Sequence, residues 1–124
     1  MQKGFPRDLL PRLEEINHEM AILEDNTFDM SERRISLNME FHSTLYSPCK
    51  DHMAYSIFWR NINQMYTIRK YHVIEYRRAK ETVNEHALII DAVRNNDILT
   101  ATTLVRLHTR NSIRYILQSN EFDA

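Results

Sequence analysis

The sequence predicts an all-α fold, a single antiparallel bundle of about five helices, and three observations lead there. The 124 residues include one glycine and three prolines, too few turn residues for the short, regularly spaced strands of a sheet protein. Hydrophobic residues make up 43% of the chain, enough for a core and too many for wholesale disorder. Those residues recur at intervals of three and four, the spacing of one face of a helix. A chain of this length builds one core, so one domain is expected over 1–124.

The first helix is expected over 8–24, with Pro6 and Pro11 near its start, where proline is tolerated. Leu9, Leu13, Ile16, Met20 and Leu23 give it an apolar side, and Asp25-Asn26-Thr27 ends it. A loop then runs to Ser31, and the second helix occupies 31–47, stopping before Pro48. Its inner stripe reads Ile35, Asn38, His42 and Leu45, with Phe41 beside it. Asp51 is read as the N-cap of a third helix, 51–71, rich in aromatic residues. The fourth helix covers 77–95 and the fifth 97–119, with a polar tail beyond that frays. Asn95-Asn96-Asp97 between them is a turn and N-cap signal.

Composition removes several function classes. Sixteen basic and seventeen acidic side chains give a formal net charge of −1, without the basic excess of a nucleic-acid surface. The pairs Arg33-Arg34 and Arg77-Arg78 read as solvated helix faces. Cys49 is alone, so there is neither a disulfide framework nor a cysteine zinc site, and a reducing compartment follows. The N-terminal residues lack the apolar core of a signal peptide, and no apolar run approaches membrane-spanning length. A cytoplasmic protein with no membrane contact is expected.

Histidine placement carries the chemical signal. His86 shares a stripe with Ile89, Ile90 and Val93; His108 shares one with Ala101, Val105, Ser112 and Tyr115. If two antiparallel helices pivot near Asn96, His86 lies ten residues before the pivot and His108 twelve after it. At a rise of about 1.5 Å per residue the two imidazoles stand level to within about 3 Å. His42 projects from the apolar stripe of a third helix, with Asn38 one turn away on the same face. Any one of these residues is more often a hydrogen-bonded core residue than a ligand. Three imidazoles together are a costly way to fill a small core, and with an oxygen donor they suit zinc, nickel or a similar divalent ion. His18, His52 and His72 have no such pattern and read as surface residues.

The ordered set Asn38-Met39-Glu40-Phe41-His42, Glu85-His86-Ala87-Leu88-Ile89 with Ala92, then Asn96-Asp97, Ala101 and His108 resembles the FCD effector-binding domain of GntR-family transcription regulators. That family shows Asp-x-x-Phe-His on one helix, Glu-His-x-x-Ile before an Ala and a Gly-Asp turn, and a last His on the final helix. The resemblance runs from about Asp8 to Leu117. It implies a helical bundle whose cavity holds a divalent metal, zinc or nickel, on Asn38, His42, His86 and His108. It also implies a small carboxylate effector bound beside the metal, and a homodimer that positions winged-helix DNA-binding domains. Arg69 and Tyr66, with Trp59, are candidates to line the cavity and meet the effector; the plainer reading puts the aromatics in the core and Arg69 on the surface.

Two departures from the family pattern matter. The family's aspartate is Asn38 here, an uncharged donor, so metal binding should be weaker. The winged-helix module and the family's first effector-domain helix have no counterpart in this sequence, and the open groove left by that helix favours a dimer or a partner helix. Two other classes compete with the sensing reading. A three-His metal can activate water in an enzyme, but Glu40 and Glu85 are expected to face away from the cavity, which leaves no general base. Ferritin-like and zincin patterns are incomplete: Glu15-Ile16-Asn17-His18 has no second copy, and no His-Glu-x-x-His occurs. A structural helical module with no metal is the other alternative.

Overall fold

A computed structural model describes residues 4–23, 28–49, 56, 60 and 76–123. Among them are four α-helices: α1 (Leu10–Ala21), α2 (Phe28–Tyr46), α3 (Tyr76–Arg94) and α4 (Ile98–Asp123). Short 3₁₀ turns, Arg7–Leu9 and Ser47–Cys49, precede α1 and follow α2. The chain is an all-α helical bundle, as its composition predicts. The expected third helix lies outside the described residues except for Ser56 and Arg60, which are both helical. Among the described residues, no helix is long and apolar enough to cross a membrane.

Helix α1 packs against α2 and α3, and α3 packs against α4. Pro11 sits in the first turn of α1, where its missing N–H takes nothing from the helix. Leu10, Leu13, Ile16, Asn17 and Met20 are buried, so the predicted stripe is correct in its centre and admits one amide. Leu37, Phe41 and Leu45 of α2 and Ile89, Ile90 and Val93 of α3 complete the core around it.

The start of α2 corrects the sequence reading. The helix is already formed at Phe28, so no loop reaches Ser31. Ser31 therefore lies inside the helix rather than at its start. The far end of α4 is a second correction: residues 120–123 are helical rather than frayed. No glycine or proline follows Asp97, so nothing in the backbone stops that helix.

The arginine pairs also need correcting. Adjacent residues on a helix point about 100° apart, so two in a row cannot share a face. Arg33 is exposed, whereas Arg34 is buried and donates to the Leu23 carbonyl at 2.9 Å. Arg78 is likewise buried, for reasons that belong to the site described below.

The hairpin between α3 and α4 is closed as predicted. Asn96 has φ of 55°, the left-handed conformation that terminates helices, and asparagine accepts it more readily than most side chains. The Asp97 N–H donates to the Ala92 carbonyl at 2.9 Å and the Asn96 N–H to Val93 at 3.1 Å, the paired bonds of a Schellman motif. Asp97 then caps α4, accepting from the Thr100 N–H at 3.1 Å. Hydrogen bonds from the Thr100 hydroxyl and backbone hold the Asp97 carboxyl below its usual range. The N-terminal residues fasten onto this turn. The Phe5 N–H donates to Asn96 Oδ1 at 3.2 Å and the Arg7 guanidinium to the Arg94 carbonyl at 2.5 Å. Gly4 lies so close to the Asn96 amide that a Cβ there would collide with it, which gives the chain's one glycine its place.

Candidate metal centre

Helix periodicity delivers three imidazoles to one point. Phe41 and His42 face inward from α2, His86 from α3 and His108 from α4; all four are at most 3% exposed. The nearest ligand atoms of His42, His86 and His108 lie within 4.8 Å of one another. His42 Nε2 and His108 Nε2 are 3.1 Å apart, across rings inclined by 22°. Two imidazoles bound to one tetrahedral zinc, at about 2.0–2.1 Å each, place their nitrogens about 3.3 Å apart. The spacing found is close to that. His86 stacks face to face on Phe41, with ring centroids 3.8 Å apart, and its centroid is 4.8 Å from that of His108. The level placement of His86 and His108 expected from their distances to Asn96 is therefore observed.

Asn38 stands one turn before His42 on the same face of α2 and is 7% exposed. Its Oδ1 is buried with no hydrogen-bond partner among the described residues. Leaving such an acceptor unsatisfied costs about 1–3 kcal/mol, which makes it a natural fourth donor for a cation. The residues present therefore fit a divalent ion: three imidazoles and one amide oxygen, all buried.

The outer nitrogens of two of the rings are held from behind. His108 Nδ1 donates to Glu85 Oε1 at 2.6 Å. Glu85 is gripped in turn by Arg78, whose NH1 and NH2 donate to its two oxygens at 3.0 and 3.2 Å, and by Asn111 Nδ2 at 3.0 Å. Ser112 Oγ accepts the second NH2 hydrogen of Arg78 at 2.9 Å. Burial pushes the Glu85 carboxyl up, but hydrogen bonds from His108, Arg78 and Asn111 and the charge of Arg78 outweigh it and bring it down to about 2. Glu85 is thus an anion at neutral pH. It accepts the hydrogen on His108 Nδ1 and so turns Nε2 toward His42, 3.1 Å away. His86 Nδ1 meets Asn17 Oδ1 of α1 at 3.2 Å. Imidazoles backed by a carboxylate or carbonyl oxygen are the usual arrangement of metal-binding histidines.

The structure brings His42, His86 and His108 together, with Asn38 one turn from His42 on α2; sequence reasoning missed what stands behind them. Glu85 was expected to face away; it does avoid the cavity, yet it is only 20% exposed and backs His108. Arg78, read as solvated, lies seven residues before Glu85, two turns along the same face, and that spacing was the available signal. Asn17 sits between Leu13 and Met20 on the apolar stripe of α1, the same kind of signal that singled out Asn38. Glu40 faces away as expected and pairs with Arg12. His18 is exposed. His52, His72, Trp59, Tyr66 and Arg69 lie outside the described residues.

A helical bundle that gathers three imidazoles in its core carries a cluster consistent with a divalent-metal site. The family model of the FCD domain matches residues 5–111. The chain therefore belongs to the FCD family, the C-terminal effector-binding domain of GntR-type regulators. No curated protein and no solved structure matches it.

Proposed function

We propose that this chain is a metal-dependent effector sensor. In this reading His42, His86 and His108 hold a zinc or nickel ion, Asn38 Oδ1 serves as the fourth donor, and a small organic acid binds beside it. The ion supplies positive charge that attracts a carboxylate in a site walled from water. Because the neutral Asn38 takes none of that charge, more of it is left for the acid than an aspartate would leave. The observation that carries the reading is the convergence of three buried ring nitrogens within 4.8 Å, with the outer nitrogens of His86 and His108 committed to Asn17 and Glu85.

Sensing is favoured over hydrolysis by the placement of the carboxylates. Glu85 is tied behind His108 by Arg78 and Asn111, and Glu40 is paired with Arg12, so neither is placed to take a proton from a metal-bound water. In the full-length family the effector state alters a dimer that carries winged-helix domains, and we assign this chain the same output through a homodimer. Exposed apolar residues on α4, Ile98, Leu99 and Ile113, support self-association.

Calorimetric titration tests the reading. Mono-, di- and tricarboxylates are added to the zinc-loaded and the zinc-free protein, and to His42→Ala. At least one acid should bind the loaded protein and lose most of its affinity in the other two samples. Equal binding in all three would contradict a metal-centred effector site.

A further inference from the structure

We infer that Asn17 is a positioning residue that fixes the tautomer of His86 and thereby sets the metal affinity of the cluster. The inference deepens the metal reading above and depends on it for its purpose, though not for its geometry.

An imidazole without a metal carries its single proton on either nitrogen, and the unperturbed side chain favours Nε2. That default would place a hydrogen on the nitrogen His86 offers to the other two rings, where a cation needs a lone pair. The structure works against the default. Asn17 Oδ1 lies 3.2 Å from His86 Nδ1, and an amide oxygen only accepts, so the hydrogen belongs on Nδ1. The amide cannot turn over to present its NH₂ instead. Asn17 Nδ2 donates to the Val83 carbonyl at 3.1 Å, and a carbonyl accepts only, so a flip would set oxygen against oxygen. The stack on Phe41, with planes within 1° of parallel, removes the other freedom, rotation of the ring out of its plane. Asn17, Phe41 and Val83 together leave one orientation and one tautomer.

The two locks differ in kind. His108 is held by a carboxylate, itself fixed by Arg78 and Asn111. His86 is held by a neutral amide from α1, a helix that contributes none of the three histidines. The amide sets direction without adding negative charge to an already buried cluster. It also makes the metal site depend on how α1 sits against α3, because Asn17 touches both His86 and the α3 backbone at Val83.

Side-chain ¹H–¹⁵N correlation spectra of the zinc-free protein read the tautomer directly, beside zinc affinity by competition with a chelating dye. In the unsubstituted protein His86 should be the Nδ1–H form. Asn17→Leu, close in size and unable to accept, should shift it toward Nε2–H and weaken zinc binding by about 10–100-fold. Asn17→Asp keeps an acceptor on His86 while setting its second oxygen against the Val83 carbonyl, so it should retain Nδ1–H at a cost in stability. A His86 that is Nε2–H in the unsubstituted protein, or Nδ1–H in both it and Asn17→Leu, overturns the inference. Should Asn17→Leu fail to fold, the unsubstituted spectrum still decides. Nδ1–H without zinc binding would overturn the metal reading and leave the lock standing; Nε2–H with tight zinc binding would do the reverse.

Discussion

Asn38 is the residue at which this chain departs from the donor set that its family resemblance implies. Its buried Oδ1, without a partner among the described residues, fits a cation, but an amide dipole attracts a dication far less than a carboxylate does. Asn38→Asp should therefore tighten zinc binding by on the order of tenfold or more, measured by chelator competition, because a full charge replaces a dipole. No gain would mean that the amide is not what limits the site. At this scale the sequence showed the inward residues of the cluster and not their supports. A histidine on an apolar stripe declares itself by contrast with its neighbours. Glu85 and Arg78 do not, because a charged side chain on a helix edge looks the same whether it faces water or locks an imidazole; only the seven-residue spacing hinted at a pair.

The elements depend on a few local devices, of which the α3–α4 turn is the most exposed to test. Asn96 holds a left-handed conformation and also accepts the Phe5 N–H. Asn96→Ala should cost about 1–2 kcal/mol for the conformation alone, read as a lowered midpoint in urea unfolding. Asn96→Gly should recover most of that, since glycine meets no penalty there. If both substitutions are equally mild, the turn is less constrained than its φ implies. The centre of each element was readable because core spacing repeats over several turns. The ends were harder. The start of α2 at Phe28 and the extension of α4 to Asp123 depend on the absence of a stop rather than the presence of one, and a search for caps and breakers misses that.

At the scale of the whole molecule, acid stability and metal binding meet at Glu85. Its carboxyl is lowered from 4.5 to about 2 in the fold, so it contributes stability that is fully present above pH 4.5 and lost as pH falls toward 2. Zinc-free protein should lose melting temperature across that window, and Glu85→Gln should start lower and fall less. Parallel curves for the two would mean that the Arg78–Glu85–His108 network adds no pH-dependent stability. The bundle itself was legible from composition and periodicity, which are properties of the entire chain. What escaped was cross-helix polar contact, Asn17 to His86 and Glu85 to His108, because partners 69 and 23 residues apart leave no trace in a local pattern.

The central claim is that His42, His86 and His108 form one metal site. Zinc K-edge X-ray absorption, with metal content measured on the same protein after equilibration with one equivalent of zinc and desalting, tests it most directly. One ion per chain is expected, with three imidazole nitrogens at about 2.0–2.1 Å and one oxygen donor. Loss of that ion is expected in His42→Ala, His86→Ala and His108→Ala alike. No retained zinc, or zinc unaffected by these substitutions, would contradict it.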